Sequence, residues 1–173
     1  MRIDEFVPQA FRAVSTAFTP GATPQDVFTI TGSATTNVYV LKMGISTTQS
    51  TAGVNAFFLE KRSTANSGGT SASATVVPLN SNYTATATVL QYTANPTAGS
   101  AVGDVWGGWV DSPAVATAGV GLVGVEVDFQ TMFGQPLALL SASQVLAWNF
   151  NGAALPSGLS VIAYVHWVEF SKT

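Results

Sequence analysis

From Val27 onward, apolar residues recur with a period of two, as they do on a half-buried β-strand. Val27–Thr31 sets Phe28 and Ile30 against threonines. Val38–Met43, Val54–Lys61, Tyr83–Thr93, Val102–Asp111, Leu122–Gln130, Val145–Phe150 and Leu159–Phe170 follow, with shorter candidates at Ile45–Gln49, Thr75–Pro78 and Leu137–Ser141. β-Branched and aromatic residues dominate these runs, and strong helix formers are scarce in them. The gaps carry turn chemistry: Asn66-Ser67-Gly68-Gly69, Asn80-Ser81-Asn82, Asn95-Pro96, Pro113, Asn151-Gly152 and Pro156-Ser157-Gly158. Asn151-Gly152 suits a type I′ hairpin turn, because both residues accept positive φ. The pattern predicts an all-β chain, a jelly roll or related β-sandwich of about eight or more strands.

The strands differ in how many faces they bury. Leu122–Gln130 places Val123, Val125, Val127 and Phe129 on one side, with Gly124, Glu126 and Asp128 on the other, so one side faces water. Tyr83–Thr93 separates Thr84, Thr86 and Thr88 from Ala85, Ala87 and Val89, a hydroxyl face that needs no charge. In Leu159–Phe170 both faces are largely apolar: Val161, Ala163, Val165 and Trp167 on one, Ile162, Tyr164, His166, Val168 and Phe170 on the other. That strand is expected to be covered on both sides, by the opposite sheet and by a strap or a second subunit.

Residues 1–26 lack a sustained period of two and mix Phe6, Phe11 and Phe18 with Pro8, Pro20 and Pro24. They read as an N-terminal strap over the core or an extended arm, with a short helix within Asp4–Val14 as the only element and Pro8 set against it. Residues 27–173 then form the sandwich domain. As an arm, the segment would dock its phenylalanines on a neighbouring subunit.

Composition narrows the function. Only six Lys or Arg and nine Asp or Glu occur among 173 residues, 9% charged, against about 25% in ordinary domains. The missing charge is replaced by 37 Ser and Thr. A net charge of -3 without a basic cluster beyond Lys61-Arg62 cannot neutralise a row of phosphates, so nucleic acid is not an expected partner. No run approaches 18 apolar residues, so no membrane span is expected, and the acidic start Met1-Arg2-Ile3-Asp4-Glu5 does not read as an export signal. With no cysteine, disulfides and thiolate metal sites are excluded.

Catalytic constellations find little support. Gly119-Val-Gly-Leu-Val-Gly124 matches GxGxxG, but the predicted strand after it stands where a dinucleotide site needs a helix. Glu126 and Asp128 share a strand face roughly 6.5–7 Å apart, a spacing that overlaps inverting glycosidases. Two acids on a wet face are the plainer reading. His166, the one histidine, has no GxSxG elbow to serve and no second imidazole for a metal. Glu60-Lys61-Arg62 reads as a strand end in solvent. No catalytic, cofactor or metal site is expected. Period-two geometry puts Trp106 and Trp109 of Trp106-Gly-Gly-Trp109 on opposite faces unless a bulge re-aims one.

Three segments carry a resemblance: Phe58-Leu-Glu-Lys-Arg-Ser-Thr-Ala-Asn-Ser-Gly-Gly-Thr70, Ala85-Thr-Ala-Thr-Val-Leu-Gln-Tyr-Thr-Ala-Asn-Pro-Thr-Ala-Gly99, and Pro136-Leu-Ala-Leu-Leu140 followed by Leu159-Ser-Val-Ile-Ala-Tyr-Val-His-Trp-Val-Glu169. Their order, within residues 55–170, resembles small β-rich proteins of tailed-bacteriophage structural regions. Some of these are capsid decoration, or cement, proteins with jelly-roll folds that sit as trimers on the head. The resemblance implies a non-enzymatic virion protein made in the host cytoplasm and located on the capsid surface, with itself and a major capsid protein as partners. It transfers no functional residue. Candidate contacts read from the residues are Phe6, Phe11, Phe18, Tyr164 and His166. The alternative is a carbohydrate-binding or adhesin module of a tail or baseplate, with Trp106, Trp109, Glu126 and Asp128 as the glycan site. A glycoside hydrolase, resting on that acidic pair alone, comes third.

Overall fold

A computed structural model of the chain describes residues 8–51, 53–112, 123–155 and 157–172. Among these residues twelve strands and one short helix follow in the order β1 (Gln9–Val14), β2 (Asp26–Thr31), β3 (Thr36–Thr48), β4 (Gly53–Arg62), β5 (Thr70–Ser73), β6 (Thr75–Pro78), β7 (Thr88–Ala94), β8 (Ala101–Ser112), β9 (Val123–Asp128), α1 (Phe129–Phe133), β10 (Leu137–Leu139), β11 (Val145–Asn149) and β12 (Ser160–Ser171). They form two antiparallel sheets. Sheet 1 runs β6–β1–β12–β3, with β9 and β10 both on the far edge of β3. Sheet 2 runs β5–β7–β2–β11–β4–β8.

The pairings nest. β1 joins β12 in sheet 1, β2 joins β11 in sheet 2, β3 joins β9 in sheet 1, and β4 joins β8 in sheet 2. A long hairpin wrapped into two layers gives this alternation, so the sandwich is a jelly roll, as the strand pattern predicts. β5, β6 and β7 are added between the fourth and fifth strands of that roll, and β10 follows the sixth.

The core is set by the period of two. Val161, Ala163, Val165 and Trp167 of β12 face inward against Phe28, Ile30, Phe57, Leu59 and Trp148 of sheet 2, all buried. Rings organise the packing: Phe11 stacks on Trp167 at 5.5 Å and Phe57 meets Phe150 edge-on at 4.5 Å. β2 and β11 are buried on both faces. β12 is not: its outward residues are half-buried or exposed, so its second face is open rather than strapped by the described residues.

Of the strap or arm expected over residues 1–26, residues 9–14 and Phe18 join the sandwich. Immediately after Pro8 the chain forms β1, paired with β12 on one side and β6 on the other. Phe18 bridges Val161, and the Ser15 amide donates to the Ala163 carbonyl at 2.8 Å. Phe11 and Phe18 are buried in the chain's own core, so neither is displayed to a neighbour. Phe6 lies outside the described residues. The period in Gln9–Val14 was hidden because Ala10 and Ala13 occupy opposite faces and the one charge, Arg12, sits between apolar neighbours.

Other boundaries shift for local reasons. Val38–Met43 and Ile45–Gln49 merge into one strand, β3. Tyr83–Thr93 pairs only from Thr88, because the Thr86 and Ala87 amides donate to the Glu169 carboxylate instead of to a strand. The strand predicted to Gln130 stops at Asp128, whose side chain accepts from the Thr131 amide at 2.8 Å and caps α1; Gly134, at φ 72°, closes the helix. Asn151 and Gly152 take positive φ, with the Ala153 amide donating to the Phe150 carbonyl, but the turn leads between sheets rather than joining a hairpin.

Glu60 and Arg62 also differ from expectation. Arg62 is buried and clasps Asp26 with two 2.7 Å hydrogen bonds, a bidentate pair, while Glu60 accepts from the same guanidinium at 2.7 Å. Asn66 and Asn149 donate to Asp26 at 2.7 and 2.6 Å, and the Gly99 carbonyl takes a further Arg62 hydrogen bond at 2.9 Å. Burial works against the arginine's charge, but Asp26 and then Glu60 outweigh it and hold its pKa above the ordinary value. Burial raises the Glu60 carboxyl, partly offset by Arg62.

Candidate functional site: the outer face of sheet 1

The outward residues of β12 lie between those of its two neighbours. Tyr164 stands opposite Val14 and Gly44, and His166 opposite Arg12 and Lys42. One strand further, β9 sets Glu126 opposite Gly44 and Asp128 opposite Lys42. This register gathers Tyr164 and His166, candidate contacts, with Glu126 and Asp128, candidate glycan residues, on one face.

Tyr164 crosses that face. Its hydroxyl donates to Glu126 Oε2, which requires the ring to pass over Gly44, where a Cβ would collide with it. Position 44 therefore has to be glycine for this hydrogen bond to form. Arg12 lies 5.7 Å from the centre of the Tyr164 ring, a cation–π arrangement, and Lys42 reaches Glu126 at 3.4 Å. Burial, then the hydrogen bond to Glu126 and its charge, push the Tyr164 hydroxyl up to about 12. Burial and the charges of Arg12 and Lys42 push His166 below its ordinary value, with Glu126 pulling the other way. The imidazole is thus neutral near pH 7, and its Nε2 is buried without a hydrogen-bond partner among the described residues.

The arrangement holds its two carboxylates in place. Glu126 is held by Tyr164 and Lys42. Asp128 caps α1, and the Thr131 amide holds its carboxyl below the usual range. Around these compensated charges Ile162 is 42% and Phe170 36% exposed, the latter edge-on to Tyr39 at 5.6 Å. No family model, curated protein or solved structure matches the chain. The face must be read from its own residues.

The proposed glycan residues do not converge. Trp106 to Trp109 pair with Leu59 to Ala56 without a register break, so the two indoles stay on opposite faces, as period two predicts. Trp106 turns inward, edge-on to Trp148 at 5.8 Å; Trp109 is 76% exposed on the outer face of sheet 2. The glycines are needed locally: a Cβ on Gly107 would sit 2.8 Å from the Phe58 ring, and one on Gly108 3.1 Å from Trp106. Trp109 and Glu126 therefore belong to opposite outer faces of the sandwich. The GxGxxG match ends within β9, and its first two glycines lie outside the described residues. Sequence reading missed Arg12, Lys42 and Gly44. Lys42 carried a usable signal, because it is the one charge in an otherwise uncharged run from Val27 to Leu59.

Proposed function

We propose that the chain is a non-enzymatic structural protein of a tailed-bacteriophage particle, a trimeric decoration protein that binds and reinforces the assembled head. The observation that carries this reading is the outer face of sheet 1, where the central strand β12 presents Ile162, Tyr164, His166, Val168 and Phe170. Lys42 and Glu126 pair within the subunit and Arg12 lies over the Tyr164 ring, which lowers the cost of covering them, since each ion buried unpaired at an interface costs several kcal/mol. These five β12 residues carry no formal charge with His166 neutral, and depletion of charge is the usual state of an interface centre. The jelly-roll architecture recurs in virion shells and supports the same reading.

The test is the mass of the purified protein at micromolar concentration, combined with co-sedimentation on capsids. A trimer retained on capsids supports the proposal. A monomer that stays in the supernatant overturns it.

A further inference from the structure

β9 pairs with Lys42–Thr47 and β10 with Val38–Val40, both antiparallel to β3 and on the same edge of it. They amount to one edge strand broken by residues 129–136. The break folds as α1 and the turn after it, leaving Met132 and Phe133 about half exposed, at 51% and 50%. Beside it opens a cleft of about 520 Å³, within the 300–1,000 Å³ range typical of small-molecule sites.

Its apolar lining includes Val105, Phe129, Phe133 and Leu137, and its polar side chains include Lys61 and Gln135. Lys61 donates to the Ala138 carbonyl at 3.1 Å. The ion pairs of the described residues involve Lys42 and Arg62, and among those residues no carboxylate lies within ion-pairing distance of Lys61. Its ammonium therefore retains hydrogen-bonding capacity and an uncompensated charge at the cleft.

We propose that this cleft binds a small amphipathic monoanion, an apolar body bearing one carboxylate or sulfonate. The body packs on Val105, Phe129, Phe133 and Leu137, and the headgroup pairs with Lys61 beside the Gln135 amide. A neutral apolar ligand would cover the ammonium and leave it only the neutral Ala138 carbonyl as a partner, which is costly. A polyanion would find a single cation. The site does not depend on capsid binding, since it lies at the sheet edge and takes its polar groups from β4 and the β9–β10 break.

Decanoate and its neutral counterpart decanol are the probes, followed by calorimetric titration and backbone amide shifts. Decanoate is expected to bind with shifts centred on Val105, Phe129 and Leu137. Lys61→Met should weaken decanoate about tenfold, the loss of one charge-assisted hydrogen bond, and leave decanol unchanged. Gln135→Glu alters only an exposed loop side chain and places a carboxylate beside Lys61; it should weaken decanoate similarly even if Lys61→Met proves unstable. Absence of decanoate binding at millimolar concentration overturns the proposal. So do shifts that map elsewhere, or an affinity that Gln135→Glu leaves unchanged.

Discussion

Sheet 2 buries its central strands β2 and β11 on both faces, whereas sheet 1 leaves one face of its central strand β12 open. The difference lies in where each sheet puts its charges. In sheet 2, Asp26, Arg62 and Glu60 lie in a network closed by Asn66, Asn149 and the Gly99 carbonyl, and it ties the loops around residues 66 and 99 to the sheet. In sheet 1, Arg12, Lys42, Glu126 and Tyr164 form a shallow cluster with the Lys42 and Glu126 side chains 33% and 41% exposed. The first cluster completes a face within the subunit. The second leaves its face open, with Lys42 paired to Glu126 and Arg12 over the Tyr164 ring.

The largest effect should come from the buried side. Arg62→Ala strands Asp26 without its cation and is expected to cost about 3–5 kcal/mol in denaturant unfolding. A loss below about 1 kcal/mol, the size of a surface pair, would remove the contrast between the two clusters.

Glu169 should come next. Buried at the rim of sheet 1, it accepts from the Thr86 and Ala87 amides, the Thr86 and Thr36 hydroxyls and the Trp167 indole. Burial alone would raise its pKa, but these donors outweigh burial and hold it below the ordinary 4.5. A depressed carboxyl stabilises the fold above its unfolded pKa and loses that contribution as pH falls through the folded value. Glu169→Gln is expected to cost about 1–3 kcal/mol at pH 7. It should also flatten the loss of stability expected of the natural protein on acidification below pH 4.5, as read by urea unfolding across that range.

The smallest effect belongs to the open face. Glu126→Gln should change stability by less than about 1 kcal/mol, as for an exposed pair. It should nonetheless bring the Tyr164 hydroxyl down from about 12 toward ordinary tyrosine, visible in ultraviolet titration. An unchanged titration would mean that Glu126 does not hold the ring across Gly44.

How far the sequence reveals all this depends on whether a signal is periodic or relational. The inward residues of β12 and β9 and the opposed indoles of Trp106 and Trp109 follow from alternation alone, and so they were legible. β1 was obscured by alanines on both faces. α1 was obscured because Asp128 fits a wet strand position as well as a helix cap. Arg62 looked like a strand end, since its partner Asp26 lies 36 residues away. The open face was half legible: Tyr164 and His166 follow from β12, but their meeting with Arg12, Lys42 and Glu126 needs the register of three strand pairs. That meeting is a property of the jelly roll, which alternation predicts only as a class.

The central claim is that the outer face of sheet 1 is the docking face. Its most direct test is capsid co-sedimentation of two variants, each placing a carboxylate on one outer face: Ile162→Asp on sheet 1 and Val54→Asp on sheet 2, at positions 42% and 57% exposed. With melting temperatures preserved, Ile162→Asp should lose about tenfold or more in retention, a penalty expected of a charge in an interface centre, while Val54→Asp is retained like the natural protein. Equal retention of both, or loss confined to Val54→Asp, would contradict the account.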